Sequence, residues 1–318
     1  DESPSRTPSQ SRRHSLFLVI PVVRDSATSC YPRQVMKEQI QTLGTALENL
    51  GPGSLAVVTG AGISQASGIP TFRGTDPEAI WRQSDVALAT FEYFRRDPVG
   101  QWQWYLQRFE AVAAAKPNPA HTALVQLENW HTLRGGTFNL VTQNIDTLHE
   151  AAGTRSMIKI HGTSDRVRCS QVGCSRGSPR GSLVAAEVRF DDFIAAPTEQ
   201  NLPRCPECGS ILRAHVLFFD EYYGEHQDYR FAEAEEIAQS ADLMIFIGTS
   251  FSVGITDIFL RAGILKRIPV FSIDPGGERS SPWPDLTVLP SAAEELLPEI
   301  CRHLETHQSP SPTADSPH

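Results

Sequence analysis

Short runs of apolar and β-branched residues recur along the chain, and each has the length of a single strand. They cover residues 55–59, 138–142, 157–160, 243–247, 269–273 and 286–289. Continuous apolar runs of this length are typical of strands that are buried on both faces of a parallel sheet. Amphipathic stretches lie between several of them, at residues 36–50, 99–115, 121–133, 225–239 and 255–266. Strands that alternate with helices predict an α/β fold with a doubly wound, Rossmann-like parallel sheet of six strands.

The segment from about 163 to 218 breaks this pattern, because Gly, Pro, Ser and four cysteines crowd a stretch with weak periodicity. The cysteines form two close pairs, Cys169/Cys174 and Cys205/Cys208. Four thiolates suit a tetrahedral zinc ion with no open position, and such a site is structural. We therefore expect a small zinc-binding module inserted in the larger domain. Two accidental pairs of buried thiols are the alternative.

The two ends of the chain differ from its middle. Residues 1–14 and 306–318 are rich in Ser and Pro and almost lack large apolar side chains. Such stretches cannot bury enough surface to offset the entropy of ordering them. We expect a mostly disordered segment at 1–34, a folded domain at 35–305 and a disordered tail at 306–318.

Composition excludes several classes of protein. With 40% hydrophobic and 20% charged residues, the chain is neither a collagen nor a coiled coil, and it is not disordered throughout. The apolar run at 16–23, which Pro21 interrupts, is shorter than the roughly 20 residues of a membrane span. A net charge of -9 without a long basic block argues against nucleic acid as a direct ligand. Six sparse cysteines indicate a reducing, intracellular compartment.

Glycine and polar residues follow the predicted strands. The first strand leads into Gly60-Ala61-Gly62, a turn that can approach a pyrophosphate closely. Gln65 stands where the dehydrogenase fingerprint needs a third glycine, which argues against hydride transfer. From these glycines alone, a plain strand-to-helix turn is an equal alternative.

Candidate catalytic groups follow the next two strands. Gln143 to Asp146 come after one strand and His161 after the other, and open α/β sheets bind ligands at the carboxyl ends of their strands. Helix capping also explains Asn144 and Asp146, and a structural role also explains His161.

Taken in order along the chain, these motifs resemble the sirtuin family of NAD-dependent protein deacylases. The resemblance spans about residues 35–305 and includes the cysteine pairs together with residues 60–64, 68–73, 143–146, 161–162, 248–250 and 297–298. It implies that NAD is consumed as a co-substrate, that zinc is structural, and that the partners are proteins or peptides bearing acyl-lysine. It slightly favours the mitochondrion, with the cytoplasm and the nucleus left open. We also expect a monomer.

The resemblance assigns roles to individual residues. It implies that the acyl-lysine carbonyl oxygen attacks the ribose carbon as nicotinamide leaves, and that a base then activates a ribose hydroxyl against the resulting imidate. The implied catalytic residues are His161 as that base, Asn144 and Asp146. The implied cofactor-binding residues are Gly60, Ala61, Gly62, Ile63, Phe72, Arg73, Gln143, Asn144, Ile145, Asp146, Gly248, Thr249, Ser250, Asp274 and Ala293.

Tyr105 and Arg108 suggest which acyl group is removed. Their spacing puts both on one face of a predicted helix, and an arginine can bind a carboxylate through two hydrogen bonds. The pair resembles the desuccinylase and demalonylase branch of the family, which implies succinyl, malonyl or glutaryl substrates. That resemblance adds Ala89, Val216 and Phe218 as substrate-binding residues. By periodicity alone, Tyr105 packs in the core and Arg108 stays solvated.

Some residues depart from the family pattern, and other functions stay open. Ala214 and Asp220 stand where Pro and Gly are common, and we expect Asp220 to narrow or charge the peptide cleft. Asp274 replaces a common Asn and can still accept ribose hydrogen bonds. The alternatives are a deacetylase or longer-chain deacylase of the same fold, mono-ADP-ribosyl transfer, and a non-catalytic NAD or ADP-ribose sensor.

Overall fold

The strands lie where the apolar runs predict them. The computed structural model describes residues 33–71, 86–251, 253–277 and 285–307. Its strands are β1 (Ser54–Thr59), β2 (Thr137–Thr142), β3 (Met157–Lys159), β4 (Gly162–Cys169), β5 (Leu183–Val184), β6 (Leu212–Val216), β7 (Leu243–Ile247), β8 (Val270–Ile273) and β9 (Leu286–Leu289). Its α-helices are α1 (Arg33–Leu50), α2 (Phe91–Arg96), α3 (Pro98–Ala114), α4 (Pro119–Leu133), α5 (Leu148–Ala152), α6 (Asp191–Ala195), α7 (Phe231–Ser240), α8 (Gly254–Lys266) and α9 (Ala293–Thr306).

Six strands form one parallel sheet in the order β3-β2-β1-β7-β8-β9. The chain runs outward from β1 to β3, returns to β7 beside β1, and then continues outward to β9. The order therefore reverses between β1 and β7, and the carboxyl ends of strands at such a point form the usual ligand crevice of an open α/β sheet. The predicted doubly wound fold is confirmed.

Helices cover both faces of this sheet. On one face α1, α4 and α9 bury Leu47, Leu124 and Leu296 against the strands. On the other face α7 and α8 bury Ala234 and Phe259. Each of these side chains is fully removed from water, and burial of a Leu or Phe side chain contributes about 1.5–3 kcal/mol.

One predicted helix is wrong at its start. The amphipathic pattern indicated a helix from residue 225, but α7 begins only at Phe231. Residues 223–225 and 227–229 form short 3-10 turns instead, and Arg230 has a left-handed backbone with φ 48°. A left-handed residue cannot continue a right-handed helix, so Arg230 separates these turns from α7.

The inserted module is a three-stranded antiparallel sheet in the order β5-β4-β6. Trp102 of α3 belongs to the apolar core of this module, and its indole N–H donates to the Leu212 carbonyl over 2.7 Å. This contact fixes α3 against β6. The domain limits proposed from the sequence stay a prediction, since residues 1–32 and 308–318 lie outside the described residues.

A search of the described helices for a membrane span found none that is both long and apolar enough to cross a bilayer.

Candidate active site

The crevice between β1 and β7 is built by three glycines. Gly62 donates its N–H to the Gly248 carbonyl over 2.9 Å, and Gly60 donates to Ile247 over 3.0 Å. A Cβ atom on Gly62 would lie 2.6 Å from Gly248 Cα, so a side chain there would push the two loops apart. The predicted cofactor segments 60–63 and 248–250 are thus brought together, and because these glycines lack side chains a dinucleotide can approach the backbone closely.

The helical segment after β1 is short. Residues Ala61–Ser67 form a 3-10 helix that ends at Gly68, which adopts φ 86°. Asn118 at the start of α4 supports this turn, because its side chain donates to the Ile63 carbonyl over 2.7 Å. Two predicted cofactor residues beyond the turn, Phe72 and Arg73, lie outside the described residues.

Asn144 and Asp146 reach across to this turn. The Asn144 amide donates to the Gly60 carbonyl over 3.2 Å and to Ser64 Oγ over 3.1 Å. Ser64 in turn donates to Asp146 Oδ2 over 2.8 Å. The other oxygen of Asp146 accepts from the N–H of Leu148, so this carboxylate also caps α5. Helix capping therefore accounts for the contact of Asp146 with Leu148 but not for its contact with Ser64. It accounts for neither contact of the Asn144 amide.

Gln143 links the ends of three strands. Its amide donates to the Thr59 carbonyl over 3.3 Å and to Thr249 Oγ1 over 3.2 Å. Thr59 ends β1, Gln143 follows β2, and Thr249 lies just beyond β7. The Gln143 side chain therefore joins the carboxyl ends of three strands into one connected edge, which includes two predicted cofactor residues, Gln143 and Thr249.

His161 lies beside this edge, and its ring has a defined proton position. Nδ1 lies 2.9 Å from the Gln143 carbonyl, which can only accept, so Nδ1 carries the proton. Nε2 lies 3.4 Å from the Tyr223 hydroxyl. Burial lowers the pKa of His161 to about 4, against a smaller opposite effect of the Gln143 carbonyl. The ring is thus neutral at pH 7 with an unprotonated Nε2, the form that a general base requires.

The predicted substrate residues are tied to His161 through the backbone. Leu217, which follows β6, donates its N–H to the His161 carbonyl over 2.9 Å. Phe219 donates to the Ala89 carbonyl over 3.0 Å. Val216, Phe218 and Ala89 are therefore brought together on one wall, and all three are buried.

Tyr105 adjoins this wall, and Arg108 lies one turn further along α3. The Tyr105 ring stacks on Phe218 with centroids 6.0 Å apart. Arg108 places its guanidinium 3.8 Å from the centre of the Trp104 ring and donates to the Trp104 carbonyl. Burial raises the pKa of Tyr105 above its usual range, so its hydroxyl stays protonated. Tyr105 packs in the core as periodicity predicts, while Arg108 is half-buried rather than solvated.

Two of the three departures from the family pattern, Asp220 and Asp274, have local hydrogen-bond partners. The Asp220 carboxylate accepts from the N–H groups of Phe91 and Glu92 over 2.6 and 3.0 Å. It thus caps the first turn of α2, where a negative charge is favourable. Asp274 follows β8 and accepts from Gly276 N–H over 2.7 Å, while Ala293 begins α9.

The four cysteines converge as predicted. Cys169 and Cys208 have their sulfurs 3.4 Å apart, those of Cys174 and Cys205 are 3.7 Å apart, and all four lie within 4.8 Å of one another. Zn–S bonds of about 2.3 Å in a tetrahedron place the sulfurs roughly 3.8 Å apart. The cluster therefore fits a structural zinc ion, even though four residues rather than two separate the first pair.

Sequence reasoning missed three residues of this region. Ser64 lies within the motif at residues 60–64, but the sequence indicates no role for it. The sequence does not single out Asn118 or Tyr223 at all. A Ser that follows a glycine turn is a recognisable signal. Asn118 and Tyr223 carry no local signal, because their partners lie 55 and 62 residues away.

Comparisons with known proteins agree with this geometry. A model of the Sir2 family matches residues 60–254, which is more than half of the chain. The chain belongs to the Sir2 family. An NAD-dependent protein deacylase of Pyrococcus furiosus is 40% identical over 210 residues, which cover 65% of this chain and 76% of that protein. A second one, from Thermococcus kodakarensis, is 38% identical over 266 residues, or 83% of this chain and 96% of that protein.

Solved Sir2 structures share the fold. One Sir2 homolog in complex with NAD has a TM-score of 0.69 and 32% identity, and the match covers 85% of this chain and 95% of that one. This Sir2 protein is therefore an NAD-dependent protein deacylase, and the predicted family, enzyme class and NAD co-substrate are confirmed. The predicted branch within the family, and the roles of individual residues, stay predictions.

Proposed function

We propose that this Sir2 enzyme removes acyl groups that end in a carboxylate from lysine, with succinyl, malonyl and glutaryl as the candidates. The observation that carries the proposal is the position of Tyr105, whose protonated hydroxyl belongs to a ring stacked on Phe218, with Arg108 one turn away on the same helix. A neutral phenol and a guanidinium can together donate several hydrogen bonds to one carboxylate.

Two other arginines close to this wall already bind a carboxylate of the protein. Arg213 also lies here, 3.6 Å from the Phe218 ring, but it is paired with Glu221, whose Oε2 is 2.9 Å from its Nη2. Glu221 also accepts from Arg168 over 3.2 Å. Both of these buried arginines therefore already bind a carboxylate, and the assignment of Arg108 to a substrate rests on its spacing from Tyr105 along α3.

In the proposed reaction His161 is the general base. Its Nε2 accepts a proton from a ribose hydroxyl while its Nδ1–H stays bonded to the Gln143 carbonyl. The Gln143 carbonyl holds the neutral imidazole in the tautomer whose Nε2 can accept, and the ring becomes an imidazolium once it has taken the proton.

The remaining residues bind and orient. Residues 60–63 and 248–250 would hold NAD in the crevice between β1 and β7, and Asn144 and Asp146 would position its ribose. Acyl-lysine would enter along Val216 and Phe218. The overall reaction would consume NAD, acyl-lysine and one water molecule, and would release nicotinamide, free lysine and O-acyl-ADP-ribose.

One assay tests the proposed acyl class. A single peptide sequence is prepared with acetyl, malonyl, succinyl, glutaryl or myristoyl lysine, and kcat/KM is measured for each at saturating NAD. We expect the three acidic groups to be removed fastest. A higher kcat/KM for acetyl-lysine contradicts the proposal and favours the deacetylase alternative, and a higher value for myristoyl-lysine contradicts it and favours a deacylase of longer chains.

A further inference from the structure

Tyr223 lies against the proposed base, and its ring contacts two others. It belongs to the 3-10 turn that precedes α7, and its ring is nearly parallel to that of Phe231, with centroids 4.9 Å apart and an angle of 7°. It is also nearly parallel to the His161 imidazole, at 5.9 Å and 12°. Packing therefore fixes where the Tyr223 hydroxyl points.

That hydroxyl has two partners on two different elements. Its oxygen accepts the N–H of Ile255 over 3.3 Å, and it lies 3.4 Å from His161 Nε2. Ile255 is in the first turn of α8, where N–H groups have no partner inside the helix. Since the Ile255 N–H can only donate, the hydroxyl proton is free to point to Nε2. Burial also raises the pKa of Tyr223, so the proton is retained at working pH.

These contacts determine which ring nitrogen of His161 donates a hydrogen bond and which accepts one. Nδ1 donates to the Gln143 carbonyl, and Nε2 accepts from Tyr223. The contact at Nε2 is longer than the 2.5–3.2 Å typical of a strong hydrogen bond, so an incoming substrate hydroxyl can replace it at small cost.

We propose that Tyr223 is a positioning residue that holds His161 in the orientation and tautomer in which Nε2 is an unprotonated acceptor. It gives up that contact when a substrate hydroxyl arrives. The proposal rests on the assignment of His161 as the base. Tyr223 acts through His161 and takes no part in the chemistry itself.

The test uses Tyr223→Phe, which keeps the stacked ring and removes only the hydroxyl. Tyr222→Phe is the matched control, because Tyr222 is the neighbouring residue and is 79% exposed. The first readout needs no NAD or peptide. In protein with ¹⁵N-labelled histidine, the Nε2 resonance of His161 reports its tautomer and hydrogen bonding. We expect Tyr223→Phe to shift this resonance and Tyr222→Phe to leave it in place.

The second readout separates two stages of the reaction. Exchange of labelled nicotinamide into NAD needs the first chemical step but not the base, whereas formation of free lysine needs both. Loss of one neutral hydrogen bond corresponds to about a three- to tenfold effect. We expect Tyr223→Phe to lower kcat for deacylation by that factor with KM for NAD unchanged, and to leave nicotinamide exchange within about twofold.

The outcomes distinguish this role from a structural one and from failure of the base assignment. An unmoved His161 resonance in folded Tyr223→Phe protein overturns the proposal, as does an equal fall of deacylation and exchange. Thermal unfolding shows whether each variant is folded. His161→Ala tests the base separately: if it keeps more than about a hundredth of wild-type kcat, the base assignment itself is wrong.

Discussion

Ser64 and Asp146 are 82 positions apart in the sequence, yet the Ser64 hydroxyl donates to the Asp146 carboxylate over 2.8 Å. This buried hydrogen bond joins the turn after β1 to the loop after β2. The same hydroxyl accepts from Asn144, so one small side chain orients both polar residues that we assign to the ribose site.

Ser64→Ala should therefore weaken catalysis strongly. It leaves a buried carboxylate and a buried amide each without one partner, and a hydrogen bond to a charged group contributes about 1.5–3 kcal/mol. We expect kcat/KM for NAD to fall by about ten- to a hundredfold, measured at saturating peptide. Ser240→Ala, at the end of α7, is the control and should keep wild-type kcat/KM. An unchanged value for Ser64→Ala would show that Asn144 and Asp146 need no such support.

The pH profile should reflect the buried state of His161. Its pKa is lowered to about 4, so the base is unprotonated, and active, at every pH above that value. We expect kcat/KM to be flat from pH 8 down to roughly 5 and to fall only below that, as Nε2 becomes protonated. An acidic limb with its midpoint near 6.5, the ordinary value for histidine, contradicts this prediction.

Loss of zinc should collapse the inserted module. Cys208→Ser removes one ligand, and metal binding is coupled to folding in small sites of this kind. Because Trp102 bonds to β6, we expect altered tryptophan fluorescence together with loss of activity and of bound zinc. Cys301→Ser is the control, since this buried thiol donates to the Ala123 carbonyl outside the cluster and serine can replace it. Active wild-type protein without zinc by elemental analysis would refute the site.

Stability should fall as the pH falls below 6.5, partly because of His121. Burial lowers its pKa to about 4, with Asp146 opposing, so the folded state resists protonation that the unfolded state accepts. Unfolded chains bind the extra proton between pH 6.5 and 4, and stability is lost over that window as pH falls. One such group contributes up to about 3 kcal/mol.

His121→Gln should flatten this dependence, measured as the free energy of unfolding in denaturant at pH 7 and pH 5. Glutamine can still accept from the Asn118 N–H and so keep the capping contact at the start of α4. His307→Gln, at the exposed end of α9, is the control. The same loss of stability in His121→Gln as in wild type would mean that His121 does not drive it.

The sequence predicted the strands well because each is a continuous apolar run, and Leu243–Ile247 is an example whose limits agree at both ends. It failed at the start of α7, because the amphipathic period gives no sign of the left-handed backbone at Arg230. The cysteine cluster was predictable from pair spacing. The contact of Tyr223 with His161 was not, since it depends on how the turn after β6 packs against α8.

The position of Arg108 marks another limit. Its helix and its spacing from Tyr105 follow from the sequence, but the contact of its guanidinium with the Trp104 ring does not. Long cationic side chains have many rotamers, and packing chooses among them. The acyl preference therefore depends on where this one group lies when a substrate is bound.

The most direct measurement is the ratio of kcat/KM for succinyl-lysine to that for acetyl-lysine, on one peptide, in wild type, Arg108→Met and Arg95→Met. Arg95, an exposed residue of α2, is the control for the change of arginine to methionine. A charge-assisted bond of about 1.5–3 kcal/mol corresponds to roughly ten- to a hundredfold. We predict that Arg108→Met lowers the ratio by at least about tenfold, mainly through KM for the succinyl peptide, and that Arg95→Met leaves it unchanged. A wild-type preference for acetyl-lysine, or an equal loss of both activities in Arg108→Met, would contradict the assignment of Arg108 to the substrate carboxylate.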